Sequence, residues 1–276
     1  MRFLNFIKLL FGLSLLICSV TAYPRVVISR STGEPVVYCS VGIVNRNIGT
    51  VTDSLGRFSL KVPAEYMADS LRISSVGYKA RTFAVKDFSC IPDTILLDDD
   101  VIALAEVEVK PQKIKQMIAG HKSVGGFIYI EVEGYRAAGQ GLAIPLKVRK
   151  KAWMKELGFT IVANNETLPQ MKFRVNFYEK CDDKYELMTS VKQFYFDYNK
   201  SDLIDGAFRF VFPEEVMLDE GEYYVELEFL EDFNNGLFLM KSRPLTGRTR
   251  YRYASQSEWE TLLFGAPIYV EYDSVE

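Results

Sequence analysis

The stretch from residue 32 to residue 63 most constrains how this chain folds, because apolar and polar residues alternate along it between closely spaced turn residues. In its first half, every second position is apolar: Val37, Cys39, Val41 and Ile43. This period of two predicts a strand with one buried and one solvated face. Residues 50–53 and 58–62 then flank a Ser-Leu-Gly-Arg turn, where Asp53 can accept from the following amides and Gly56 can take a positive φ. We therefore predict a strand followed by a hairpin.

Short apolar segments continue this rhythm to about residue 97 and predict a small β-sandwich. Five pieces stand in a distinctive order: Thr32-Gly33-Glu34-Pro35, Tyr38–Val41, Gly49–Phe58, Val76-Gly77-Tyr78 and Leu104–Val109. On these pieces the segment Val26–Val109 resembles the carboxypeptidase regulatory-like domain family, a transthyretin-like β-sandwich found in exported proteins of many Gram-negative bacteria. The resemblance implies a folding and docking module, and it carries over no catalytic residue.

The N-terminal residues predict export. Arg2 and Lys8 precede an apolar run over residues 9–20, and small or branched residues follow up to Ala22. We expect a signal peptide over residues 1–22, no membrane span after its cleavage, and a periplasmic, outer-membrane-associated or extracellular protein. A retained anchor and lipidation at Cys18 are the alternatives.

The rest of the chain predicts a second β domain. Residues 110–125 are polar, with Ile114, Met117 and Ile118 at helical spacing, and predict a linker with a helical turn or two. Alternation then returns over residues 127–132, 142–148, 159–163, 171–178, 193–198, 207–212, 223–230, 237–240 and 268–272. The predicted fold is therefore all-β, with two antiparallel β-sandwich domains: a regulatory-like one over residues 23–109 and a jelly-roll-like one over residues 126–276.

Charge gives little sign of a nucleic-acid partner. The formal net charge is −3, and loss of Arg2 and Lys8 with the signal peptide would make it −5. The basic cluster comprises Lys241, Arg243, Arg248, Arg250 and Arg252. Because Arg and Tyr alternate from Arg250 to Tyr253, we interpret this part as a strand with one solvated face and expect no nucleic-acid binding.

The residues that usually perform catalysis are scarce. His121 is the only histidine, which rules out a two-histidine zinc site, and we expect it to be solvated in the linker. The sequence has neither a Gly-x-Ser-x-Gly elbow nor a phosphate-binding glycine loop. We therefore predict no enzyme activity, no catalytic residue, no metal and no cofactor.

Acidic residues are the remaining catalytic resource. Glu226 and Glu228 share one face of a predicted strand, and Glu131 and Glu133 share another. Exposed strand faces are commonly charged, so we expect both pairs to be solvated, with a carboxylate-dependent glycan hydrolase as an alternative. Residues 98–100 and 182–183 are expected to be acidic turns rather than a calcium site.

Tryptophans and cysteines leave two questions open. Trp153 and Trp259 could form a sugar platform, although packing in a core or between domains is favoured. The cysteines beyond residue 22 are Cys39, Cys90 and Cys181, which allow one disulfide, and buried free thiols are favoured. Asp-Ser/Thr-apolar tripeptides at residues 53–55, 69–71, 93–95 and 273–275 resemble a short bacterial O-glycosylation signal, and most of them also fit turns entering strands.

Three functions from different classes follow. The leading one is a non-catalytic exported binding or assembly protein of the bacterial cell envelope, with an envelope protein as its partner. A carbohydrate-binding protein that uses the C-terminal sandwich is the second. The glycan hydrolase is the third.

Overall fold

The computed structural model describes residues 24–100, 113–122, 126–162, 170–182, 184–233, 237–242 and 244–275. In these residues all regular structure is β-strand apart from four 3₁₀ turns, so the prediction of an all-β protein is confirmed. The turns are Ala64–Tyr66, Val85–Cys90, Gly134–Arg136 and Lys200–Asp202. None of the described residues forms a helix long and apolar enough to cross a membrane. The predicted signal peptide lies outside the described residues.

The first sandwich has seven strands among its described residues. They are β1 Arg25–Ser29, β2 Ser40–Ile43, β3 Gly49–Val51, β4 Arg57–Phe58, β5 Ser70–Ser74, β6 Arg81–Ala84 and β7 Thr94–Leu97. One sheet has the order β4-β1-β7 and the other the order β3-β2-β5-β6. All pairs are antiparallel except β1 and β7, which run parallel. Between the two sheets lies an apolar core that includes Val27, Val41, Leu71, Ile73 and Ile95.

The turn predicted at residues 53–57 forms, but it does not close a hairpin. The Asp53 carboxylate accepts from the amides of Leu55 and Arg57, both at 2.8 Å, and Gly56 has a φ of 70°. The strands on either side belong to different sheets, because β3 pairs with β2 whereas β4 pairs with β1. The turn is therefore a corner between the two sheets of the sandwich.

The second sandwich has thirteen described strands. They are β8 Ile114–Gly120, β9 Ile128–Glu133, β10 Gly141–Val148, β11 Ala152–Thr160, β12 Met171–Cys181, β13 Lys184–Leu187, β14 Phe194–Tyr198, β15 Ala207–Leu218, β16 Gly221–Phe229, β17 Leu237–Ser242, β18 Pro244–Arg252, β19 Glu260–Phe264 and β20 Ile268–Val275. The large sheet has the order β13-β12-β16-β10-β18-β19, with β14 also paired to β12. The small sheet has the order β15-β11-β20-β8, and β9 and β17 form a separate ribbon.

Aromatic rings fill the core of the second sandwich. Phe173 lies 4.9 Å from Phe229 and 5.4 Å from Phe196 between ring centroids, and Phe159 lies 5.1 Å from Phe208. The alternation predicted over residues 171–178 is confirmed on β12, since Phe173, Val175 and Phe177 are buried in this core. Phe159 of the small sheet lies 5.6 Å from Phe173 of the large sheet between ring centroids, and this contact helps to hold the two sheets together.

The predicted linker was wrong over residues 114–120. This segment is strand β8, which pairs with β20 along its whole length. Met117 and Ala119 pack on the core, whereas Ile114 and Ile118 are exposed. The helical spacing of the three apolar residues was therefore misleading, because pairing with β20 determines the conformation.

Candidate functional site: an ionic junction between the sandwiches

The outer face of β2 touches the second sandwich. Sequence alternation predicted that Ser40 and Gly42 would be solvated, yet all four residues of β2 are buried. The prediction was wrong because this face packs on one end of the large sheet, where Arg174 reaches Ser40 and a loop of the second sandwich lies on Gly42. The four-stranded sheet of the first sandwich is thus buried against partners on both faces at this point.

Strand register brings charged residues together on the large sheet. Arg174 of β12 is opposite Glu228 of β16, and across β10 Arg252 of β18 stands on the same row. In the next row Asn176 is opposite Glu226. Since alternate residues of a strand share one face, all five side chains project from the outer face of the sheet. We call this set the ionic junction.

Glu228 has the stronger set of donors in the junction. One of its oxygens, Oε2, accepts from Arg174 Nε at 2.8 Å, Arg174 Nη2 at 2.6 Å and Asn176 Nδ2 at 2.7 Å. The other oxygen, Oε1, lies 2.9 Å from Arg252 Nη2 and 3.5 Å from the Ser255 hydroxyl. Glu228 therefore contacts both guanidinium groups.

Glu226 relies more on neutral donors. Its Oε2 accepts from Asn176 Nδ2 at 2.7 Å and from the Tyr178 hydroxyl at 3.0 Å. Its Oε1 lies 2.6 Å from Arg252 Nε, an ion-pair contact in which neither atom has an aligned hydrogen bond. The position of Gly141 beside it is constrained, because a Cβ there would collide with Glu226 Oε1.

Arg174 links the two sandwiches. Its Nη1 donates to the Tyr38 carbonyl at 2.6 Å, and its Nη2 donates to the Ser40 hydroxyl at 3.0 Å. Tyr38 has a φ of 52°, which is strained for an aromatic residue. Its ring also packs 5.7 Å from that of Tyr195 on β14. A guanidinium has five donors in a fixed fork, which allows one side chain to bind Glu228 and the first sandwich together.

A loop of the second sandwich completes the contact. The Ser255 carbonyl lies against Gly42 and Gly49, and a Cβ on either glycine would collide with it. Beside it, the Asn45 amide donates to the Gln256 carbonyl at 2.9 Å, and Gln256 Nε2 donates to the Ser74 hydroxyl at 3.0 Å. A side chain at position 42 of β2 or at position 49 of β3 would prevent this approach, so these two glycines determine how closely the loop docks.

Aromatic residues seal one side of the junction. The ring of Trp259 lies 5.5 Å from that of Tyr178 and 6.2 Å from that of Tyr224, and the Arg252 guanidinium lies 5.3 Å from its centroid. Farther along β16, Glu222 pairs with lysines at the surface. The outer face of the sheet thus changes from buried and ionic to aromatic and then to solvated.

The two carboxylates are electrostatically different. Burial raises the pKa of Glu226 above its ordinary value; Arg252 opposes this effect, and Glu228 adds to it. Burial also acts to raise the pKa of Glu228, but Arg174 and Arg252 outweigh it and hold that pKa below its ordinary value. Two carboxylates that share donors are expected to differ in this way.

The prediction that Glu226 and Glu228 are solvated was wrong, because both are 0% exposed. Arg252 is also buried, contrary to the predicted solvated face of its strand. All three residues are buried within the ionic junction. A glycosidase needs its carboxylates open to substrate, whereas these carboxylates are covered by protein donors. The arrangement fastens two domains together, and it offers no access for a sugar.

The other sequence candidates lie apart from the junction. Glu131 and Glu133 are exposed, as predicted. His121 is half-buried rather than solvated, because it follows strand β8, and its Nε2 lies 2.9 Å from the Gly265 carbonyl. Trp153 is half-buried on β11, while Trp259 packs as described above.

The basic cluster and the acidic turns are dispersed. Arg250 donates to the Tyr224 hydroxyl at 2.7 Å, and Lys241 lies over the Tyr129 ring. Asp98 pairs with Arg30 at 2.6 Å. Among the described residues no group of three His, Cys, Asp or Glu side chains is placed to hold a metal. Asp183 and Arg243 lie outside the described residues.

The expectation for the cysteines is met only in part. Cys39 is a free, buried thiol, and burial raises its pKa to about 12. Cys181 is also free, but it is exposed at the end of β12. Cys90 is exposed as well. The one disulfide that these cysteines allow is therefore not formed.

Sequence reasoning missed Arg174, Asn176 and Arg252 as members of a site. The one available signal was that strongly apolar strands carry Arg, Asn and Glu on their other face. Without the register, nothing in the sequence paired Arg174 with Glu228 across the 54 positions between them.

The comparisons with known proteins concern the first sandwich. The family model described as the CarboxypepD_reg-like domain matches residues 26–109. No curated protein matches the chain. The matched segment contains β2 to β7 and all but the first residue of β1. Residues 26–109 are therefore a carboxypeptidase regulatory-like domain, as their resemblance predicted.

Proposed function

We propose that this protein is a non-catalytic, exported binding or assembly protein of the bacterial cell envelope. The observation that carries the proposal is the ionic junction, which fixes a regulatory-like module onto a larger sandwich through buried charges. Such a joint suits a protein that presents a surface in a fixed orientation. Export is supported by the basic and apolar residues before Ala22.

The junction also limits where a partner binds. The outer face of β2 is occupied by Arg174 and by the loop at Ser255, so this face of the regulatory-like domain is used within the chain. We assign the partner surface to the second sandwich. Val211 and Ile118 are 67% and 50% exposed, and the register of the small sheet places both on one row of its outer face.

Capture from membrane extracts tests the proposal. The bait is residues 23–276, with Val211→Lys and Ile118→Lys as surface variants and Leu55→Lys, at an exposed turn of the first sandwich, as the matched control. We expect the wild type and the control to retain an envelope protein and the two surface variants to lose it. Recovery of a monomer without any partner would contradict the proposal. Loss of the captured protein in the Leu55 variant alone would mean that the partner binds the first sandwich and not the second.

Sugar binding is the alternative outcome of the same test. Trp259 packs on Tyr178 and Tyr224 beside the junction, so we choose Trp153, which lies apart from the junction, to test for a sugar platform. Glycan-array binding that Trp153→Ala abolishes would favour a carbohydrate-binding protein. A glycan-hydrolase reading would require turnover that a single Glu or Asp substitution removes.

A further inference from the structure

We propose that Glu226 is the proton-accepting site of the ionic junction, and that its protonation in mild acid leaves the two sandwiches docked through Arg174 and Glu228. The inference rests on an asymmetry between two buried carboxylates that face the same way on one strand. It goes beyond the proposed function, because it concerns how the joint responds to its surroundings.

The charged contacts of the two carboxylates differ. Glu228 lies within hydrogen-bonding distance of three guanidinium nitrogens from two arginines. The shortest guanidinium contact of Glu226 is from Oε1 to Arg252 Nε at 2.6 Å, and this contact is not aligned for a hydrogen bond. A proton taken up at Glu226 therefore disrupts the weaker ionic contact and leaves the stronger one in place.

The surroundings of Glu226 can accommodate a proton. The groups that act on it are Asn176, Tyr178 and Arg174 of β12, Glu228 of β16 and Arg252 of β18, and Gly141 of β10 lies beside it. The Tyr178 hydroxyl donates to the carboxylate, and a hydroxyl can also accept. A protonated Oε2 can thus donate to Tyr178, and removing one negative charge relieves repulsion with Glu228.

The link to the first sandwich does not involve Glu226. Arg174 reaches the Tyr38 carbonyl and the Ser40 hydroxyl while its Nε and Nη2 also donate to Glu228. Since the pKa of Glu228 is held below its ordinary value, this pair persists after Glu226 has taken up its proton. The order of protonation is what makes the joint tolerant of acid.

The test is a carboxyl titration of residues 23–276 carrying ¹³C at the glutamate side-chain carboxyl. We expect one resonance to titrate above the exposed glutamates and to disappear in Glu226→Gln. A second resonance should titrate at a lower pH than those of the exposed glutamates, and it should disappear in Glu228→Gln. If a variant does not fold, the wild-type titration alone still shows whether one carboxyl group titrates at a higher pH than the exposed glutamates. The proposal would be overturned if no carboxyl group titrated at a higher pH than the exposed glutamates.

Unfolding measurements give an independent readout. The pH dependence of the folding constant is compared between wild type and variant, so an effect of the substitution that is the same at every pH cancels. As pH falls toward 4.5, the folded wild type binds a proton that its unfolded chain does not. The folding constant of the wild type should therefore rise relative to Glu226→Gln, by up to about tenfold per pH unit. Below pH 4.5 it should fall relative to Glu228→Gln, because the unfolded chain then binds the proton first. Parallel pH profiles for the two variants would contradict the proposal.

Discussion

Arg174 is the residue on which the junction most depends. It is 1% exposed and donates to Glu228 and to two groups of the first sandwich. Breaking a buried ion pair leaves an uncompensated charge and typically costs about 3–5 kcal/mol. We expect Arg174→Met to lower the free energy of unfolding by about 3 kcal/mol in urea denaturation. Glu222→Gln, which removes exposed pairs with Lys147 and Lys180, should cost much less. Equal losses would contradict the central role of Arg174.

A second prediction at this scale concerns Tyr198, whose buried hydroxyl has no hydrogen-bond partner in the described structure. Its ring packs on Phe173 and Phe208, and the ring introduced by Tyr198→Phe would make the same contacts. Removing an unsatisfied buried hydroxyl should leave stability unchanged or raise it by about 1 kcal/mol. The matched control is Tyr178→Phe, which loses a bond to Glu226 and should cost about 1 kcal/mol. Thermal unfolding distinguishes them, and an equal loss in both variants would refute this prediction.

At the scale of elements, β2 has packed partners on both of its faces. An added methyl group at Gly42 would collide with the Ser255 carbonyl, which is backbone and cannot rotate away. We expect Gly42→Ala to separate the loop from β2 and to increase proteolysis at residues 253–257. The conservative control is Ser40→Ala, which removes only one bond from Arg174 and should leave the loop protected. An unchanged cleavage pattern in Gly42→Ala would show that the loop docks less tightly than the structure indicates.

Strands were easier to predict than the contacts between them. The alternation in β12 and β15 predicted which side chains enter the core, because a period of two appears in the sequence itself. Strand β8 was missed, since Ile114, Met117 and Ile118 fit a helical spacing equally well. The junction was out of reach because it depends on register and on a second domain that covers the face, which a single strand does not encode.

At the scale of the whole molecule, the two sandwiches should unfold together. Separating them would remove the bonds of Arg174 to Tyr38 and Ser40 and would uncover two arginines and two glutamates that are buried while the sandwiches are docked. We expect amides of β5 and β16 to share one opening free energy in native-state hydrogen exchange. Arg174→Met should divide this single value into two, with the first sandwich opening at the lower one. Two values in the wild type would mean that the junction does not couple the domains.

The parallel pairing of β1 and β7 has a mechanical consequence. The chain enters β1 at Arg25 and leaves β7 at Leu97, and the two strands are aligned from Val26↔Thr94 to Ser29↔Leu97. A pull on the two ends of the first sandwich would therefore load this pair along the strands, so that its hydrogen bonds would share the force and break together rather than one by one. The parallel pair would thus resist separation of the two ends of the first sandwich, whereas Arg174 resists separation of the first sandwich from the second.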